Sequence, residues 1–299
     1  MGVHGMSESD RPFRPRRSAL YMPGSNQRAL AKARELPADV LILDLEDAVA
    51  PAAKVEARGQ IMAALDTGGY GARELLVRVN GLDTEWGGDD LRAFANAGAD
   101  GLVLPKVSSA EDVLQAVQLL ERAGVADGLR LWCMAETARG ILAIDSIAGA
   151  HPRLAGILMG TSDLARELRV RHTPERLGFL PALGQCVLAA RAHGIDILDG
   201  VHLELHDAPG LHAACVQGRD LGFDGKTLIH PGQLATANEV FAPAARELAE
   251  AHEITAAWQD AQLRGSAVVV VRNRLVENLH VAQAERLLAV ADAVERMGW

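Results

Sequence analysis

The chain repeats one pattern eight times: a short apolar run, then a longer segment with the apolar spacing of a helix. The runs fall at 18–21, 40–43, 75–80, 101–106, 129–134, 155–159, 195–198 and 222–229. Helical segments follow them, for instance at 28–35, 54–65, 86–97 and 110–123, with Gly98 and Gly124 as stops. Eight such repeats in roughly 220 residues predict an α/β fold, a TIM-type (β/α)8 barrel, for which about 250 residues is usual. A doubly wound open sheet is the competing architecture. No GxGxxG follows the first run, however, and no P-loop occurs anywhere. The rhythm breaks after residue 240, where the spacing predicts a helix over 244–263, a β-like 268–271, a turn at 272–274 and a helix over 281–297. The expected organisation is a disordered tail over 1–17, the barrel over 18–240, and a helical/β appendage over 241–299 acting as a lid and oligomerisation segment.

Most of these runs end in polar residues: Tyr21, then Asp44, Glu46 and Asp47, then Arg78 and Asn80, Lys106, Glu136, Asp163, Asp199, and finally Lys226 and His230. In a barrel these ends form the face where the loops gather and catalysis occurs, so the pattern points to an enzyme. The formal charge of −9 and pI near 5.6 argue against a nucleic-acid or anionic-membrane partner. An anionic ligand therefore needs a local basic cluster. Three cysteines without CxxC spacing predict reduced thiols and a cytoplasmic protein. The N-terminal stretch has no apolar signal region, and the apolar run at 267–271 is too short to span a bilayer.

Glu136 in "CMAETARG" and Asp163 in "LMGTSDLA" close adjacent strands, so their carboxylates can converge on a metal. Without a Cys or His cluster beside them, the expected ion is hard, Mg2+ or Mn2+, completed by waters and substrate oxygens. Helix capping is the competing use of these two positions. The stretch "DVLILDLEDAV" is expected behind the ligands, with Glu46 and Asp47 holding metal-bound waters or basic partners such as Lys54 and Arg58, and Asp44 orienting them. Lys106 could serve a Schiff-base aldolase, although a structural or electrostatic role is favoured. "HLELH" spaces His202 and His206 as a zinc helix would but lacks the HExxH order.

The pieces "RSALYMPG", "LDLEDAV", "VRVN", "LPKV", "ETARG", "GTSDL" and "GFDGKTLIHPGQ" occur in that order from residue 16 onward. Together they resemble the citrate lyase beta-subunit-like family of the HpcH/HpaI aldolase superfamily, which includes malyl-CoA and citramalyl-CoA lyases. The resemblance implies a Mg2+-dependent carbon–carbon lyase. Its expected substrate is a 3-hydroxy-3-carboxy-acyl-CoA such as malyl-CoA or citramalyl-CoA. The products would be acetyl-CoA (or a homologue) and a 2-keto acid, pyruvate or glyoxylate. It further implies that Glu136 and Asp163 hold the metal and that Arg78 faces the reacting oxygens. Tyr21, Arg28 and Lys32 would bind the CoA ester, the last two sharing one helix face at i,i+4. Ile229 and His230 would contact substrate through backbone and side chain.

The family's proton donor is an Asp on the appendage, delivered from a neighbouring subunit of a homo-oligomer (trimer or hexamer). Here "NRLVENL" puts Glu277 in its place and Leu279 where Pro is usual. The alternatives are a metal-dependent aldolase on free 2-keto acids, which needs no CoA cluster, and a subunit or pseudoenzyme acting only within a complex.

Overall fold

The computed structural model describes residues 13–299, so most of the tail expected over 1–17 lies outside the described residues. The chain forms two compact units, one spanning Arg16–Phe241 and one containing Ala242–Trp299.

The first unit is a closed barrel of eight parallel strands in sequential order. It begins with β1 (Ser18–Pro23), α1 (Gln27–Lys32), β2 (Val40–Asp44), α2 (Lys54–Thr67), β3 (Glu74–Arg78) and α3 (Gly87–Phe94). β4 (Gly101–Leu104), α4 (Ala110–Arg122), β5 (Arg130–Ala135), α5 (Ala138–Leu142) and α6 (Ile144–Ala148) come next. The circuit closes through β6 (Leu154–Met159), α7 (Thr161–Leu168), α8 (Leu180–Ala192), β7 (Asp196–Asp199), α9 (Ala208–Leu221), β8 (Gly225–Leu228) and α10 (Leu234–Val240). The eighth strand starts three residues later than its apolar run suggests. Gly222 is taken up by the left-handed cap of α9, at φ 100°.

Side chains alternate across each strand, which sorts the core into two layers. Ala19, Val40, Ile42, Leu76, Val103, Trp132, Met134, Leu158 and Leu198 make one cluster, the barrel interior. Their strand neighbours, such as Leu41, Leu43, Val77, Leu102 and Cys133, belong to the larger core shared with the helices. Trp132 is fully buried, and it fits because residue 156 is glycine. A Cβ there would sit 2.2 Å from the indole.

Charged pairs close the N-terminal end of the barrel. The Arg17 guanidinium donates to Asp39 at 2.9 Å, while Arg16 donates to Glu74 at 2.6 and 2.8 Å, pairs with Asp196 and lies 5.1 Å over the Trp132 ring. The last residues of the expected tail are thus bound into the barrel floor.

The second unit contains α11 (Ala245–Leu263), the antiparallel pair β9 (Val269–Val271) and β10 (Arg274–Val276), and α12 (Asn278–Met297). Trp258, Val276 and Val281 form its small core. The turn at Arg272 and Asn273 uses two left-handed residues, φ 49° and 62°. Among the described residues no helix is long and apolar enough to cross a membrane.

Candidate active site

The inward row of each strand carries apolar residues low in the barrel and functional groups at its C-terminal end. Ala19 leads to Tyr21, Ile42 to Asp44, Leu76 to Arg78, and Met134 to Glu136. These residues surround a cavity of about 380 Å³, lined also by Asp47, Asp163, Thr161, Val201 and Ile229.

Arg78 is the centre of the arrangement. It is the register partner of Asp44 across β2 and β3, so the two side chains rise together on one face. Its Nε and Nη2 donate to the two Asp44 oxygens at 2.7 and 2.6 Å, a bidentate pair almost wholly out of water. Asp44 also accepts from the backbone N–H groups of Glu46 and Ala48. The remaining guanidinium nitrogen, Nη1, lies 2.8 Å from Glu46 Oε2, out of hydrogen-bond alignment, and 3.6 Å from Asp47. The Tyr21 ring covers the guanidinium at 4.9 Å, and the sulfur of Met134 lies 3.6 Å from Nη1. Burial opposes the charge on Arg78, but Asp44, Tyr21 and Glu46 outweigh it and hold the guanidinium charged. Burial likewise pushes the Tyr21 phenol well above its usual range.

Glu136 follows β5 directly and is 3% exposed. Its Oε1 accepts the backbone N–H of Lys106 at 2.7 Å. Desolvation pushes its carboxyl up to about 7, against the opposing effect of that N–H. Gly160 makes room for Oε2, because a Cβ at that position would stand 2.2 Å away. Asp163 lies in the first turn of α7, with Oδ1 2.9 Å from Arg166. Capping does not account for either acid: Thr137 caps α5, accepting from the Gly140 N–H, and Gly160 occupies the cap position of α7.

The donor set suits a hard divalent ion. Among the described residues no group of three or more His, Cys, Asp or Glu side chains could hold a metal. Mg2+ is usually held by one or two carboxylates, with water and substrate completing the octahedron. Glu136, desolvated and with Oε2 beside the Gly160 gap, is the group a cation would stabilise most.

The structure corrects the reading of the acidic stretch. Lys54 is buried, but its Nζ donates to the carbonyls of Leu45 and Glu46 at 2.7 Å, not to their neighbours' carboxylates. Arg58 turns away to Asp90 at 2.6 Å. Asp44 orients Arg78, and Glu46 is shared between Arg78 and the ammonium of Lys106. Burial would lower the Lys106 amine, yet the hydrogen bond and charge of Glu46, with Asp47 and Glu136, more than offset it and keep the amine protonated. A Schiff-base lysine must be neutral to attack, so this environment is wrong for that chemistry.

Tyr21, Asp44, Glu46, Asp47, Arg78, Glu136, Asp163 and Ile229 thus gather at one end of the barrel. Arg28 and Lys32 lie on α1 just beyond β1, exposed and free of ion pairs among the described residues. The Ile229 N–H is committed to Gln233 Oε1 at 3.0 Å, which leaves its carbonyl for a ligand. The His230 ring nitrogen Nδ1 accepts from the Gly232 N–H. Glu277 caps α12 in the second unit, its own N–H donating to His280 Nδ1 at 3.1 Å. His202 and His206 of "HLELH" lie in the loop after β7, not on a helix. Sequence reasoning missed Met134 and Gly160 as parts of the site. The inward period of β5 marks Met134, whereas nothing local marks Gly160.

A TIM-type barrel whose C-terminal mouth gathers carboxylates and a buried arginine has the layout of a barrel enzyme. Residues 17–231 match the family model described as HpcH/HpaI aldolase/citrate lyase, and the chain belongs to this family. It is 53% identical over 97% of its length, and 98% of the relative's, to a (3S)-malyl-CoA thioesterase of Cereibacter sphaeroides. It is 36% identical to an L-malyl-CoA/beta-methylmalyl-CoA lyase of the same species, over 95% of this chain and 96% of that one. Among solved structures it resembles the Mycobacterium tuberculosis protein CitE in complex with magnesium, acetoacetate and coenzyme A. That match has a TM-score of 0.72 and 28% identity, covering 93% of this chain and 98% of that one. Members of this family acting on CoA esters include both lyases and a thioesterase.

Proposed function

We propose that this chain is a Mg2+-dependent enzyme acting on a 3-hydroxyacyl-CoA with a carboxylate beside the hydroxyl, the malyl-CoA class, and that it hydrolyses the thioester. The observation that carries the substrate class is the Glu136–Asp163 pair facing Arg78 across one cavity. The high identity to a thioesterase along nearly the whole chain supports hydrolysis. So does Glu277, with Leu279 two residues on, where the lyase pattern has Asp and Pro.

Glu136 and Asp163 would hold the ion, which when bound supplies positive charge to substrate oxygens. The rest falls to the chain's own residues. Arg78 offers a fixed guanidinium to the thioester oxygen as negative charge develops there, an interaction typically worth a few kcal/mol. Asp44 and Tyr21 keep that guanidinium in one orientation before substrate arrives. Arg28 and Lys32 provide the basic cluster for the CoA phosphates, and Ile229 and His230 border the acyl end. In hydrolysis, water oxygen bonds to the acyl carbon, the C–S bond breaks, and the CoA sulfur takes up the proton.

The second reading is carbon–carbon cleavage to acetyl-CoA (or a homologue) and a keto acid. It is favoured by the same intact acid pair and arginine, with Glu277 from a neighbouring subunit of a homo-oligomer as the enolate's proton donor. One experiment separates the two. With (3S)-malyl-CoA and Mg2+, hydrolysis releases free thiol, read with a thiol reagent, and malate. Cleavage releases glyoxylate, read as its hydrazone, and no thiol. Neither product, also with methylmalyl- and citramalyl-CoA, would refute the proposal.

A further inference from the structure

Beside the described cavity, lining the neighbouring pocket with Asn80 and Ser108, stands one residue that neither hydrolysis nor cleavage uses. Lys106 follows Pro105 at the end of β4 and adopts φ 53°, left-handed backbone that is uncommon outside glycine. That conformation turns its N–H onto Glu136 Oε1 at 2.7 Å. Glycine would make the same backbone contact without steric cost, so the strain at this position directs attention to the side chain.

The side chain reaches toward the acids at the cavity's edge. Its ammonium is hydrogen-bonded to Glu46 Oε1, lies 3.7 Å from Asp163 Oδ2 and stands 4.0 Å from Asp47 Oδ1. One residue therefore touches Glu136 through its backbone and approaches Asp163 through its side chain. A magnesium ion binds carboxylate oxygen at about 2.1 Å. An ion on Asp163 Oδ2 would thus lie within roughly 6 Å of the ammonium, close enough for strong repulsion in a partly buried cavity. The Lys106 side chain is 43% exposed, so it can swing into solvent without burying its charge elsewhere.

We propose that Lys106 is a tethered counter-cation: its ammonium holds the metal-side carboxylates together in the metal-free protein and competes with the divalent ion for them. This rests on the reading that Glu136 and Asp163 carry the metal. Lys106 is then a positioning residue that sets how tightly the free protein holds Mg2+.

The test is calorimetric titration of MgCl2 into the metal-free full chain, for wild type, Lys106→Met and Lys106→Arg. A second neutral variant, Lys106→Gln, guards against a packing failure of the first. The neutral variants should bind Mg2+ more tightly, on the order of tenfold or more, and Lys106→Arg should stay near wild type. In EDTA the neutral variants should melt at a lower temperature, and Mg2+ should raise their melting point more than it raises wild type's. A purely structural lysine would give weaker Mg2+ binding when removed. Neutral variants that bind Mg2+ as wild type does, or more weakly, would overturn the proposal while leaving the metal reading intact. A wild type that takes up no Mg2+ would instead remove the metal reading, and the proposal with it.

Discussion

Replacing Asp44 with Asn tests the idea that the barrel spends a buried carboxylate to aim one arginine. Asn preserves the shape and can still accept from the backbone N–H groups of Glu46 or Ala48, but it removes the charge that meets Arg78 Nε and Nη2 at 2.7 and 2.6 Å. Losing one partner of a buried ion pair costs about 3–5 kcal/mol. Arg78 keeps Glu46 at 2.8 Å, so the lower end applies, about 3 kcal/mol. For a domain of this size that corresponds to a fall in melting temperature of roughly 6–12 °C.

The effect on turnover is separate, because a guanidinium free to turn toward Glu46 no longer points at the reacting oxygen. A loss of about 10²–10³ in kcat is expected, the scale of removing one oxyanion donor. Thermal melts and thioester turnover at saturating Mg2+ measure both quantities. The double variant Asp44→Leu/Arg78→Met sharpens the test. Removing both charges should recover much of the stability, since no buried charge is left unpaired, and none of the activity. If Asp44→Asn melts and turns over like wild type, the bidentate pair is not what positions Arg78.

Three further outcomes follow from the same geometry. Because desolvation raises the Glu136 carboxyl to about 7, the folded metal-free protein binds a proton between about pH 4.5 and 7 that the unfolded chain has lost. Its stability should therefore fall as pH rises through that window, by up to about 3 kcal/mol. In EDTA, Glu136→Gln should match wild type near pH 4.5 and exceed it near pH 8 in urea unfolding; parallel pH profiles would contradict this. Gly160→Ala drives a Cβ to 2.2 Å from Glu136 Oε2, so calorimetry should show Mg2+ binding weakened at least about tenfold, with the protein still folded. Arg28→Glu with Lys32→Glu should raise KM for the CoA ester about tenfold or more at low salt and leave the melting temperature within about 1 °C, since both side chains are exposed. An unchanged KM would favour the free keto-acid reading.

The eight-fold repeat of apolar run and helix is a local signal, and it determined the barrel. Strand spacing and helix stops depend on residues close in the chain, so they are legible there. The polar residues at the strand ends were legible for the same reason, as were Glu136 and Asp163 as candidates, whereas the part assigned to Arg78 came from the family resemblance of "VRVN". What each of these touches was not. Asp44 and Arg78 are 34 residues apart, and only the register of β2 on β3 makes them partners. Nor does the linear order tell that Lys54 turns to backbone carbonyls, that Arg58 leaves the acidic stretch for Asp90, or that Lys106 bends back over Glu46. A carboxylate's partner is set by through-space distance and by how much water the fold excludes. Both are properties of the closed barrel, which brings residues from strands one to six within a few ångströms of one another.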